Sequence, residues 1–186
     1  IGVRSQMSSV AKNTLTYYQD IEGECVGLQS RYPMSVHSYV YMHPKEIIAG
    51  SVMNDYYYSK DGGVSWKSKS IKSRKNGVNG DPCMLIDDKG NYYYFHLSNI
   101  DGETLVGGIV CERSKTIKGR FIREGHTLNN GKFHDKEWVA TNAKNDHIYM
   151  TWTQFDEYDS KDPLKRSNIL FSKSIDFGKT SIRLIR

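Results

Sequence analysis

Short apolar and aromatic runs alternate along this chain with polar turns rich in Gly, Asn, Asp and Ser, a pattern that predicts strands. Residues 47–58 read as two short strands around a tight turn at Asn54 and Asp55, and the run from Lys67 to Lys72 alternates as a further strand does. Residues 82–98 repeat the style, with Pro82–Ile86, a turn over Asp87–Asn91 and an aromatic strand over Tyr92–Ser98. A third pair runs from Glu137–Ala140 through a turn near Asn145 and Asp146 into His147–Thr153. No window long enough for a helix carries a helical period.

The runs form a repeating unit. Each unit has a short apolar strand, a polar turn, an aromatic-rich strand, a third strand ending in Ser, and a glycine turn leading to a fourth. The third-strand serines, Ser59, Ser114 and Ser174, lie 55 and 60 residues apart. Four short antiparallel strands at that period predict the blades of a β-propeller.

The turn after each serine has its own pattern. Ser59, Asp61, Gly63, Ser65 and Trp66 fit S-x-D-x-G-x-[ST]-W throughout. Ser174, Asp176, Gly178 and Thr180 repeat it with Ser181 in place of Trp. A third copy, from Ser114 to Phe121, is eroded, with Thr116 at the Asp position and Lys118 at the Gly position. The residue types suit a tight turn. Asp accepts from turn N–H groups that no strand satisfies, Gly takes a positive φ, and Trp covers the turn with an apolar face. A structural role is expected for Asp61 and Asp176.

On these turns the chain resembles the Asp-box (BNR-repeat) proteins of the sialidase superfamily. Four further stretches are similar to its BNR-repeat glycosyl hydrolase, or exo-sialidase-like, branch: Gly80–Pro82, Tyr92–Ser98, Asp135–Trp138 and Tyr149–Asp156. The resemblance covers roughly residues 32–181. It implies an all-β, sialidase-type (six-bladed) β-propeller with about three blades in this chain, at about 32–73, 80–125 and 134–186. Residues 1–31 then belong to a preceding blade or closing strand, and residues 32–186 form a partial propeller. The remaining blades are expected to be missing from this chain, which reads as a fragment whose open side exposes apolar faces and strand edges.

Composition agrees with a globular chain: 25 % charged and 38 % hydrophobic residues, 13 Tyr and 4 Pro among 186 residues. The formal charge of +5 fits either a mildly basic solvated surface or a preference for acidic glycans. Lys67, Lys69, Lys72, Arg74 and Lys75 form the only dense basic group, and no nucleic-acid module signature accompanies it. Cys25, Cys83 and Cys111 show neither disulfide pairing nor metal-ligand spacing, and Cys83 and Cys111 sit in apolar runs as buried thiols do. No stretch is apolar enough to span a membrane, no secretory leader opens the chain at Ile1, and no cofactor or metal is expected. The resemblance points to a secreted or periplasmic protein.

The resemblance also implies three arginines on a substrate carboxylate, an Asp acid/base and a Tyr–Glu nucleophile. The Arg-Ile-Pro motif of the first arginine is absent, since Arg4 precedes Ser5 and Gln6, and Arg31 precedes Tyr32 and Pro33. Among the residues themselves, Asp81, Asp135 and Glu137 precede predicted first strands, which line a propeller's central face. They are the candidates for general acid/base work. Lys136 and Trp138 are candidates for binding an acidic sugar and stacking on its ring. His96 is either a sugar contact or a hydrogen-bonded core histidine, and Asp81 and Asp135 equally suit loop anchoring. His126 and His134 are placed in loops without metal partners. The acidic stretch Asp156–Asp162 reads as a solvated loop rather than a Ca²⁺ site, because it lacks the DxDxDG spacing. The expected function is a fragment of a glycan-active glycoside hydrolase; the other reading is a non-catalytic Asp-box propeller that binds glycans or proteins.

Overall fold

A computed structural model describes residues 16–21, 36–43, 45–51, 54–72, 77–99, 107–127, 131–142 and 147–179. Arg4, Cys25, Arg31, Arg74, Lys75, the turn at 143–146, Thr180 and Ser181 lie outside the described residues. Among the described residues the chain is all-β, with three antiparallel sheets and no helix. The first sheet runs in order β1 (Thr16–Ile21), β2 (Val36–His43), β3 (Glu46–Gly50), β4 (Asp55–Ser59) and β5 (Lys67–Ser70). The second holds β6 (Gly80–Ile86), β7 (Tyr92–Asn99), β8 (Gly107–Ser114) and β9 (Ile122–His126). The third holds β10 (Phe133–Asn142), β11 (His147–Phe155) and β12 (Ser167–Ser174). β1 falls within the 1–31 segment and pairs with β2 as an edge strand of the first sheet. His126 and His134, expected in loops, lie instead in β9 and β10.

Strict alternation in the middle sheet explains how the sheets stack. Met84, Ile86, Tyr92 and Tyr94 face the first sheet and pack with Ile48, Tyr56 and Tyr58. Their neighbours Cys83, Leu85, Tyr93 and Phe95 face the third sheet and pack with Ile148, Met150 and Trp152. A period of two thus buries both faces of β6 and β7, which is why those strands read as nearly continuous apolar runs. Cys83 and Cys111 form no disulfide and are buried in the second of these cores. Burial pushes the Cys83 thiol far up, as an inert core cysteine requires.

The turns after the third strands are tied by their own side chains. Ser59 Oγ accepts from the amides of Asp61 (3.3 Å) and Gly63 (2.8 Å) and donates to Asp61 Oδ1 (2.7 Å). Asp61 accepts from Ser65 N (2.9 Å) and Ser65 Oγ (2.6 Å), and Trp66 Nε1 donates to the Gly63 carbonyl (3.0 Å). Ser174, Asp176 and Gly178 repeat the serine bonds at 2.8, 3.4 and 2.8 Å. In the eroded copy Ser114 keeps the amide of Thr116 at 3.3 Å, but with no carboxylate its hydroxyl turns to the Thr116 carbonyl. Ser59→Ala removes acceptors from two turn amides at a buried position, so it is expected to lower stability by about 1–2 kcal/mol in urea denaturation. An unchanged midpoint would mean that water serves these amides equally well.

Among the described residues, several side chains on the far face of the third sheet are exposed. Trp138 pairs across to Thr151, and Thr151 to Phe171, so these side chains share one face of the sheet. Ile169 on the same face is 74 % exposed and Phe171 39 %, while Leu170 and Ser172 turn inward. Among the described residues no helix is long and apolar enough to cross a membrane.

Candidate functional site

Two equivalent irregularities lie at the starts of β6 and β10. In β6 the register passes from Gly80↔Leu97 to Cys83↔Phe95, so three steps face two. In β10 it passes from Asp135↔Thr153 to Trp138↔Thr151, again three against two. Each strand therefore carries one extra residue, a β-bulge, at the same place in its sheet. The bulges hold Asp81 at φ 46° and Lys136 at φ 54°, left-handed backbone that non-glycine residues adopt only at a cost of order 1–3 kcal/mol. The glycine turns after the third strands sit at the opposite end of each sheet. Asp81, Asp135, Lys136 and Glu137 thus lie within their strands, at bulges, rather than in loops that precede them.

The bulges bring charged groups of two sheets together. Lys136 Nζ stands 3.7 Å from Asp81 Oδ2, with both side chains partly exposed. Asp135 is half-buried. Burial raises its carboxyl above the ordinary value, and Asp81 raises it further by charge and by a side-chain hydrogen bond; the amide and ammonium of Lys136 oppose the rise. The negative charge of Asp81 close by thus favours the protonated form of Asp135. Asp81 and Asp135 therefore interact across the two sheets.

Glu137 lies behind this pair and is only 3 % exposed. Neither carboxyl oxygen has a hydrogen-bond partner of good geometry. Burial holds it well above the ordinary carboxyl range; its own backbone amide lowers it, and the charges of Asp81 and Asp135 raise it again. Burial thus favours the neutral form of Glu137, an enclosed carboxyl next to the pair. Trp138, its neighbour, points to the open face of the third sheet and is 42 % exposed.

His96 does not join the group. It is fully buried in β7, with Nδ1 at 2.9 Å from the Leu97 carbonyl and Nε2 at 3.6 Å from Glu112 Oε1, too far for a hydrogen bond. Beside the bulge, His134 is fully buried between Thr127 Oγ1 (2.9 Å at Nδ1) and Gln154 Nε2 (2.9 Å at Nε2). The Gln154 amide donates to Nε2, so Nδ1–H donates to Thr127, which also accepts from the Ile109 amide at 2.9 Å. Burial pulls the imidazole down to about 4. Nothing in the sequence marks Thr127 and Gln154 as its partners, because they meet His134 only through strand pairing and sheet stacking.

The acidic stretch after β11 is tied to cations of the chain itself. Asp156 accepts from Lys132 Nζ at 2.6 Å and from the Arg166 amide at 3.1 Å, and Lys165 stands 3.3 Å from Glu157. Among the described residues no group of three His, Cys, Asp or Glu is placed to hold a metal ion.

These features define a protein of stacked antiparallel sheets with paired bulges at the starts of two first strands. No protein-family model matches the sequence, and no curated protein matches it. An α-L-arabinofuranosidase from Fusarium graminearum, solved with an iminosugar inhibitor, is similar in structure at a TM-score of 0.48 and 12 % identity. That match covers 81 % of this chain and 45 % of the other. An α-L-arabinanase from Penicillium chrysogenum, solved with arabinobiose, gives a TM-score of 0.48 and 9 % identity over 93 % of this chain and 50 % of the other. This chain thus spans about half the length of either structure. At these values the activity has to be argued from the site itself.

Proposed function

We propose that this chain is part of a glycan-active β-propeller of the sialidase-like, Asp-box type, acting as a glycoside hydrolase. The turn pattern at Ser59–Trp66 and Ser174–Gly178 supports the fold assignment, and the open face of the third sheet suits the docking of a further blade. The observation that carries the activity is the pair of matched bulges, which present Asp81, Asp135 and Lys136 together. Strained backbone and bulges concentrate at sites where a side chain is aimed at a ligand. Asp135, whose protonated form burial and Asp81 favour, donates to the leaving glycosidic oxygen and later takes a proton from water. Asp81 tunes that proton, and Lys136 holds an acidic group of the sugar. Glu137, enclosed, sets the field behind the pair rather than touching the sugar. The nucleophile is a group outside this set, since Asp81 is held by Lys136 and Glu137 is enclosed.

The test is hydrolysis of fluorogenic glycosides, including a sialoside and an arabinofuranoside, by the purified protein beside Asp135→Asn. One glycoside is expected to turn over, with kcat reduced by roughly 10²-fold or more in the variant. Because the acid must be protonated, turnover falls as pH rises through the raised value of Asp135. Asp81→Asn removes a like charge, so it moves that alkaline limb to lower pH. Turnover unaffected by Asp135→Asn would overturn this assignment. A second reading, a binding propeller without catalysis, is favoured by the burial of Glu137 and by the Lys136–Asp81 ion pair, both of which suit a loop anchor. Absence of turnover by a folded protein selects it.

A further inference from the structure

A second surface, away from the bulges, has an unusual charge arrangement. A groove of about 760 Å³ opens between β5 and the turn after β8, and Lys69, Lys72, Lys118 and Arg120 line it. All four are exposed. A smaller hollow of about 300 Å³ continues from it through Arg120 and Gly119 and adds Arg113 and Lys115. None of the residues lining either hollow is acidic. Among the described residues no ion pair neutralises Lys69, Lys72, Lys118 or Arg120. Asp55, which accepts from Oγ of the groove residue Ser70 at 2.6 Å, is almost fully buried. Lys69 Nζ donates to the Lys118 carbonyl, which ties the two walls together and keeps its charge at the rim.

Like charges gathered on one concave surface repel one another unless a polyanion lies among them. The floor tells which polyanion. Tyr56 and Phe121 are 1 % and 9 % exposed and pack edge-on against each other, so neither offers a flat face to a base or a sugar ring. A single-stranded nucleic-acid site needs such stacking platforms. Charges on flexible stems over a closed apolar floor read separated anionic groups on a saccharide backbone instead.

We propose that this groove binds an anionic glycan strand, through its sulfates or carboxylates, as a site separate from the bulges. It rests on the glycan reading above but not on catalysis at Asp135. Titration calorimetry with a heparin-derived hexasaccharide and with a hexagalacturonate tests it and separates the two sources of charge. At least one is expected to bind the protein with an affinity that falls steeply as salt rises. The triple variant Lys69→Gln, Lys118→Gln, Arg120→Gln, all at exposed positions, is expected to weaken binding roughly tenfold or more and to flatten the salt dependence. Asp135→Asn leaves this binding unchanged even where it abolishes hydrolysis, so the two ideas fail separately. The proposal is overturned if neither oligosaccharide binds, if the triple variant binds as well as the parent, or if a single-stranded DNA dodecamer binds more tightly than both.

Discussion

Glu137→Gln is expected to make the protein more stable at neutral pH and to leave it almost unchanged in acid. The carboxyl is enclosed, without a hydrogen-bond partner of good geometry, and burial holds it well above its ordinary value of 4.5. A carboxyl whose folded value is raised contributes its full stability below the unfolded value and loses it as pH rises toward the folded one. Below pH 4.5 the folded and unfolded chains are both protonated and the glutamine has nothing to relieve. At about pH 7 the unfolded chain has ionised, and holding the folded group neutral costs at most about 3 kcal/mol, the free energy of the interval from 4.5 to 7. Glutamine keeps the shape and removes that cost. Urea denaturation of parent and variant at about pH 4, 5.5 and 7 measures the gap. A gap that opens with pH supports a neutral Glu137. A constant loss of stability at every pH would show instead that the native protein holds the charged form and pairs it.

His134 gives the opposite slope. Its imidazole is fully enclosed, and Gln154 presents an N–H, not an acceptor, to Nε2. Protonation would set two donors against each other in a dry site. The value falls from 6.5 to about 4, so the stability it supports is present above pH 6.5 and is lost as pH falls toward 4. The full loss is about 3 kcal/mol and is reached only near the bottom of that window. His134→Asn keeps a donor near Thr127, lowers stability overall by leaving a void, and is expected to flatten the decline between these limits. The difference in slope between parent and variant isolates this group from the other carboxylates. Equal slopes would mean that Gln154 rotates to accept a proton, or that His134 opens to water before it titrates. The two opposite slopes offset each other between about pH 4.5 and 6.5, the ordinary values of the two groups, so their joint contribution is largest there.

Much of the fold was legible because strands announce themselves locally. The Tyr92–Tyr93–Tyr94–Phe95 run was readable as a strand, and its lack of polar alternation is explained by cores on both faces of the second sheet. The turn at Ser59–Trp66 was readable because its bonds join residues within four positions of one another. Asp81 and Asp135 were candidates from the sequence, yet their placement was misjudged. A bulge is a mismatch between two strands, and neither strand alone records it. Glu137 illustrates the same limit, since its enclosure comes from the third sheet packing on the second.

The sequence alone determined the repeating strand pattern, the serine-anchored turns and the buried cysteines, because each depends on residues close in the chain or on the polarity of a run. The tertiary structure alone decided that Asp81 and Asp135 are brought near each other, that His96 is fully buried, and that Lys69 and Lys118 face one groove. Charge interactions fall off over a few ångströms, so they depend on which strands are brought side by side, and residues 54 positions apart in the chain, such as Asp81 and Asp135, meet only once the sheets have stacked.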